Sequence, residues 1–313
     1  MIGAVIALAL LAQGGRYTPV EVRTAGPIGP LAGTLVDPGV VAPAVVIVPG
    51  SGPTDRDGNN PLGVAAAPYR LLAEALAQRG VATLRIDKRG MFGSKGAVGD
   101  ANAVTIADYA GDVHRWVEML VGRTARRCVW LLGHSEGALV VLQAAQRPER
   151  LCGVVLVSGA GRPLGSVLRA QLRANPANAP ILAPAMAAID TLERGKTVDV
   201  ATLPPPFAPL FAPQVQPFLI DLFAHDPVRL AAKVALPMLI VHGDRDIQVD
   251  LEDAQALAKA QPRAELAILS GVNHVLKAAP EDRAGNAATY GNPSLPVARG
   301  VVEAIAAFVT RKR

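Results

Sequence analysis

Gly133-His134-Ser135-Glu136-Gly137 sets a serine between two glycines, directly after the apolar run Val129–Leu132 and before a helical run from Ala138 to Gln146. A chain that turns sharply from strand to helix at that serine exposes its hydroxyl at the apex. A side chain at either glycine would collide with neighbouring backbone, so small residues are required there. The turn aims a helix N-terminus at the reacting carbon, and the backbone N–H of Glu136 becomes a donor for a developing oxyanion. The chemistry these residue types could do is acyl transfer to a serine.

A serine hydroxyl is a poor nucleophile at neutral pH and needs an adjacent base. His114 lies in an amphipathic helical pattern, His225 in a long insertion and His242 at the end of a strand; His134 adjoins the serine but should point elsewhere along the turn. His274, in Ser270-Gly271-Val272-Asn273-His274, follows the last strand candidate. Its loop should lie at the carboxyl edge of the sheet, where ligands bind in open α/β folds, and it is the expected general base. The acid that orients it is expected one strand earlier, in Val241-His242-Gly243-Asp244-Arg245-Asp246. Asp246 is preferred, because Gly-x-x-Asp carries the chain beyond the strand end and back toward the histidine. Asp244 is suited to closing the turn through its own backbone.

A second oxyanion donor is expected in Val48-Pro49-Gly50-Ser51-Gly52-Pro53-Thr54-Asp55-Arg56-Asp57-Gly58-Asn59. Glycines there let backbone approach a substrate closely, and the N–H of Ser51 is the expected donor. Asp55, Arg56 and Asp57 could hold a polar substrate group; the alternative is a salt-bridge and turn network that shapes the loop.

These residues need a frame. Strand candidates are Tyr17–Arg23, Leu31–Val36, Ala44–Val48, Ala82–Ile86, Cys128–Leu132, Gly153–Val157, Pro237–Val241 and Glu265–Leu269. From Ala44 onward most are continuously apolar, as a parallel sheet covered on both faces requires, and the first two should form an antiparallel edge. Between them, Pro68 opens a helix with Leu71, Leu72, Ala75 and Leu76 on one face, and Gly80 can close it. Thr105 and Asp108 read as a capping box ahead of Ile106, Tyr109, Val113, Val117 and Leu120 at helical spacing. The alternation implies a doubly wound α/β sheet with helices on both faces.

Residues 160–235 break the rhythm. They offer helices over Pro184–Glu193 and near Val215–Phe223 but no strand, and an insertion this long reads as a helical cap on a core of residues 16–159 and 236–313. Phe207, Phe211, Phe218 and Phe223, four of the six phenylalanines, fall in it. They could form an apolar wall for an acyl or aromatic group, or anchor the cap to the sheet.

Half of the residues are apolar and 18% are charged, a globular composition. The net charge of +5 is scattered, its densest cluster being Arg311-Lys312-Arg313, and gives no basic stripe for nucleic acid. The apolar start, Met1 to Ala12, is too short to span a bilayer but suits a signal peptide over residues 1–15, ending near Ala12. That reading expects a periplasmic or secreted protein with no stable membrane span in the mature chain; without cleavage the expectation is cytoplasmic. Against it, no basic residue precedes the run, and Leu10 is large for its place before a cleavage site. Cys128 and Cys152, the only cysteines, start neighbouring strands. A disulfide is possible in an exported chain, but two buried small hydrophobes are the preferred expectation.

Together the Gly50–Asn59 loop, Asp87-Lys88-Arg89-Gly90, Gly133–Gly137, Gly243–Asp246 and Asn273-His274 resemble bacterial α/β-hydrolases of the esterase and serine-aminopeptidase-like group. The resemblance runs from about residue 17 to the end. It implies an eight-stranded, mostly parallel sheet with a helical cap, and the chain order Ser135, Asp246, His274 agrees with it. Similar proteins carry a bracing pattern like Asp-x-Arg-Gly-x-Gly-x-Ser; here Phe92 stands at the second glycine and Gly93 follows one place later. The expectation is a serine hydrolase of carboxylic esters acting on small molecules through an acyl-enzyme, with Ser51 and Glu136 as oxyanion donors and no metal or organic cofactor required. A peptidase or amidase, or a thioesterase, on the same three residues is the alternative, and a non-catalytic binding protein on this fold is the reading from a different class. Oligomeric state is left open.

Overall fold

Strands with no polar face cannot be left wet on either side, and that decides the architecture. A computed structural model describes residues 17–39 and 42–311. Eight strands form one sheet: β1 (Val20–Ala25), β2 (Pro30–Val36), β3 (Ala44–Val48), β4 (Ala82–Ile86), β5 (Val129–His134), β6 (Leu151–Val157), β7 (Met238–Gly243) and β8 (Glu265–Leu269). Their order is β1-β2-β4-β3-β5-β6-β7-β8. β1 pairs antiparallel with β2, β2 antiparallel with β4, and every later pair is parallel. The expected antiparallel edge is therefore present, and the strand carrying the serine motif is central, between β3 and β6.

The ten helices among the described residues are α1 (Pro68–Ala77), α2 (Ile106–Arg123), α3 (Glu136–Ala144), α4 (Leu164–Ala174), α5 (Leu182–Glu193), α6 (Gln216–Phe223), α7 (Pro227–Lys233), α8 (Leu251–Ala260), α9 (Arg283–Ala288) and α10 (Arg299–Thr310). Alternation along β3 sends Val45 and Ile47 to a core shared with α1 and α10, and Val46 and Val48 to a core shared with α2 and α3. Thr105 caps α2 with Asp108 in the reciprocal arrangement expected, and Ile106, Tyr109, Val113, Val117 and Leu120 are all buried.

The buried face of α1 is rotated from the expected one. Leu72 and Leu76 are buried, but with Tyr69 and Ala73; Leu71 and Ala75 are only half-buried. Tyr69 is the cause: its hydroxyl is engaged inside the protein, as described below, and turning it inward carries Leu71 outward.

Between β6 and β7 the chain is helical, with α5 and α6 close to the expected ranges and α4 and α7 unexpected. Cys128 and Cys152 are joined by a disulfide, their Cα atoms 5.2 Å apart where β5 and β6 begin. This corrects the expectation of two free buried thiols: pairing of the strands sets the two Cα atoms at bridging distance, which spacing along the chain does not reveal. The proposed leader, residues 1–15, lies outside the described residues, as do Lys312 and Arg313 of the C-terminal basic cluster. No helix among the described residues is long and apolar enough to cross a membrane.

Candidate active site

Ser135 follows β5 directly and precedes α3, with φ 55° and ψ −121°. A non-glycine residue with positive φ is strained, and here β5, β6 and α3 hold it: its N–H donates to the Val157 carbonyl at 3.0 Å. A Cβ at Gly133 would overlap the Gly137 carbonyl, and one at Gly137 would overlap the Val48 carbonyl. Both glycines are thus required by close backbone approach.

His274 lies in the loop after β8 and donates from Nδ1 to Asp246 Oδ2 at 2.8 Å. The other carboxylate oxygen accepts the N–H groups of Gln248 and Val249 at 2.8 and 3.0 Å. Burial pushes the Asp246 carboxyl up, but the His274 ring and these two N–H groups more than offset it and hold it at about 2. Asp244 serves elsewhere, accepting the Gly271 N–H at 2.7 Å to clasp the two loops together. Asn273 braces the histidine loop, donating to Asn286 Oδ1 at 2.9 Å and Thr289 Oγ1 at 2.7 Å. Ser135 and His274 face one cavity. Among the described residues the Ser135 hydroxyl makes no hydrogen bond to the His274 ring; such contacts commonly tighten only when substrate is bound.

Ser51 and Glu136 line the same cavity. Glu136 begins α3, so its N–H has no partner within the helix and is available to an oxyanion. Gly50 lies against the serine with its own N–H donating to Tyr69 Oη at 3.1 Å, and Ser51 and Gly52, next along this loop, both border the cavity. Asp55, Arg56 and Asp57 form an internal network. Asp55 Oδ1 accepts the N–H groups of Asp57 and Asn59, Arg56 pairs with Asp87 at 2.6 Å, and Arg85 pairs with Asp57. In the segment for which the resemblance implied a bracing role, Asp87 also accepts the Gly93 N–H at 3.0 Å, and Arg89 pairs with Asp112 at 2.6 Å.

His134, buried beside the His274 ring, is engaged at both ring nitrogens, a role its sequence context did not disclose. Tyr69 Oη, accepting from Gly50, gives its proton to His134 Nδ1 at 2.8 Å. His134 Nε2–H then donates to the His274 carbonyl at 2.8 Å. The direction of these bonds is assigned from the network. One neutral imidazole therefore ties the Gly50 loop, the Ser135 turn and the His274 loop together. Burial, with the nearby His274 ring adding to it, pushes His134 down to about 3. The remaining histidines have structural partners: His114 with the Ala144 carbonyl, His242 with the Val249 carbonyl and His225 beside Asp221.

The depressed His134 value has a definite sign. The unfolded chain takes up this proton near pH 6.5 and the folded chain only near pH 3, so stability present above 6.5 is lost as pH falls through that window. Between pH 7 and 4.5 the wild type should lose about 3 kcal/mol more than His134→Gln, an uncharged side chain able to accept from Tyr69 and donate to His274. Urea unfolding at the two pH values measures this; equal losses in both proteins would refute it.

The cavity has a volume of about 1010 Å³. Its wall between β6 and β7 is apolar, with Leu164, Val167 and Leu168 of α4 and Phe218, Leu222 and Phe223 of α6. The four phenylalanines thus divide. Phe218 and Phe223 face the cavity, Phe218 also meeting the Tyr109 ring edge-on at 6.1 Å, while Phe207 and Phe211 are buried anchors. Among the described residues no cluster of three His, Cys, Asp or Glu side chains is arranged to hold a metal.

The family model for serine aminopeptidase, S33, matches residues 62–199. Esterase EstD of Thermotoga maritima is 30% identical over 241 residues, which are 75% of this chain and 54% of that protein. The chain spans about half the length of this curated relative. Among solved structures, the α/β hydrolase GrgF from Penicillium sp. sh18 is similar at 19% identity and a TM-score of 0.58, covering 82% of this chain and 91% of that one. The Pyrococcus furiosus esterase Pf2001 is similar at 17% identity and a TM-score of 0.54, covering 81% and 83%. Both share the fold.

Proposed function

We propose that this chain, which has the α/β-hydrolase fold, hydrolyses carboxylic esters through an acyl-enzyme on Ser135. The observation that carries the reading is the strained Ser135 sharing one cavity with a histidine whose Nδ1 is held by a buried carboxylate. His274 Nε2 takes the serine proton and returns it to the leaving alcohol; a water activated by the same nitrogen then frees the acid. Asp246 fixes the tautomer and stabilises the imidazolium. The N–H groups of Ser51 and Glu136 hold the oxyanion, each contributing roughly 3 kcal/mol to the transition state.

An aminopeptidase reading draws on the matching family model. It would need a carboxylate free to receive a substrate amine. Among the described residues lining the cavity the only carboxylate is Glu136, and Lys88 already occupies it. That favours an ester with an apolar acyl or aromatic part. We further assign residues 160–235 the role of a cap over the site, and the disulfide favours export, since such bonds persist in oxidising compartments.

The test is hydrolysis of p-nitrophenyl acetate, butyrate, octanoate and laurate beside the corresponding anilides. The roomy apolar cavity predicts faster turnover of butyrate and octanoate than of acetate. Turnover of anilides with none of any ester would sink the esterase reading in favour of the amidase.

A further inference from the structure

We propose that Lys88 is the positioning residue of the oxyanion hole, a role that rests on the esterase reading above. Lys88 follows β4 with 3% of its surface exposed. Its neighbours are pinned on both sides, Asp87 by Arg56 and Arg89 by Asp112, so the side chain between them is aimed across the sheet. Lys88 Nζ donates to the Gly50 carbonyl at 2.7 Å and to Glu136 Oε1 at 2.8 Å, and stands 5.2 Å from the centre of the Tyr109 ring. The two residues it grips belong to the two halves of the oxyanion hole.

The Gly50 carbonyl shares its peptide unit with the Ser51 N–H. A trans peptide is planar, and its C=O and N–H point in opposite directions. An ammonium holding the carbonyl on one side therefore fixes where the N–H points on the other. It also draws electron density toward the carbonyl, which makes that N–H a stronger donor. Through Glu136 the same ammonium holds the residue whose own N–H is the second donor. Tyr69 fixes the N–H of Gly50, so the peptide units on both sides of Gly50 are locked. Preorganised donors of this kind act on charge that develops in the transition state, not on bound substrate.

Removing Lys88 alone would strand the buried Glu136 charge, which is costly for folding. The informative protein is Lys88→Met combined with Glu136→Gln, with Lys88→Arg as the charge-conserving companion. For p-nitrophenyl butyrate the double variant should lose roughly 10- to 100-fold in kcat with KM within about threefold of wild type. Its inhibition constant for a trifluoromethyl ketone of the same chain length, which forms a hemiketal oxyanion on the serine, should rise by a matching factor. Lys88→Arg should recover part of both losses, its planar fork meeting Glu136 but approaching Gly50 differently. A folded double variant with kcat within threefold of wild type, or a loss carried by KM, would overturn the proposal. Failure of both variants to fold would assign Lys88 to the core and overturn it equally. Wild type lacking any Ser135-dependent ester turnover would sink the esterase reading instead, which a positive wild-type result beside an unaffected variant would leave standing.

Discussion

Ser135→Ala is expected to turn over p-nitrophenyl esters about 10⁶-fold more slowly than wild type, with its far-ultraviolet spectrum and thermal transition essentially unchanged. The effect is expected to be large because, of the described serines that line the cavity, Ser135 is the one at a positive φ. Ser135 alone occupies the strained apex between β5 and α3, in the cavity that His274 also lines. Alanine fits the same backbone, since the steric demands of the turn fall on Gly133 and Gly137. What survives is catalysis by the oxyanion donors on an attacking water, so some residual rate above background is expected. Adding His274→Ala to this variant should cost little more, because a base without its nucleophile contributes almost nothing. Steady-state kinetics on the single and double variants measures this. A single variant retaining more than about one part in a hundred of the wild-type kcat would place the nucleophile elsewhere.

Asp246→Asn is expected to lower kcat by about 10⁴, with KM little changed. The reason is the direction of one hydrogen bond. Asp246 accepts on both oxygens, from Gln248 and Val249 on one and from His274 Nδ1 on the other. In asparagine the carbonyl oxygen would remain with the two backbone N–H groups and the amide N–H₂ would face His274. Nδ1 must then accept, the ring proton moves to Nε2, and the nitrogen facing the cavity can no longer take the serine proton. With the carboxyl held near pH 2, its own titration does not enter the neutral pH range. Comparing kcat for Asp246→Asn and Asp244→Asn tests the assignment, because Asp244 serves the Gly271 clasp and should matter far less. A larger loss at position 244 would reverse the roles.

The residues proposed to react could be picked out of the sequence because each is tied to a local pattern. The serine sits in a five-residue motif whose glycines answer to backbone collisions within the turn itself, and the strands before and after it are continuous apolar runs. Asp246 and His274 could be chosen by their place after the last two parallel strands. The contacts that arm these residues were not legible, because they join segments far apart in the chain. His134 bridges Tyr69 and His274, 65 and 140 residues away, and Lys88 joins Gly50 and Glu136 across 38 and 48. No periodicity reports such pairings. The one visible trace was in α1, where treating Tyr69 as part of the buried face would have rotated that face correctly. The disulfide and the division of labour among the four phenylalanines were hidden for the same reason: both depend on which elements become neighbours in space.

The central claim is that Ser135 is the nucleophile and His274 its base. The most direct measurement is labelling of the purified protein with a fluorophosphonate, followed by peptide mapping by mass spectrometry. The account predicts one adduct per chain, on the peptide containing Ser135, with labelling at least a hundredfold slower in His274→Ala. An adduct on Ser51 or any other residue, or equally fast labelling without His274, would contradict it.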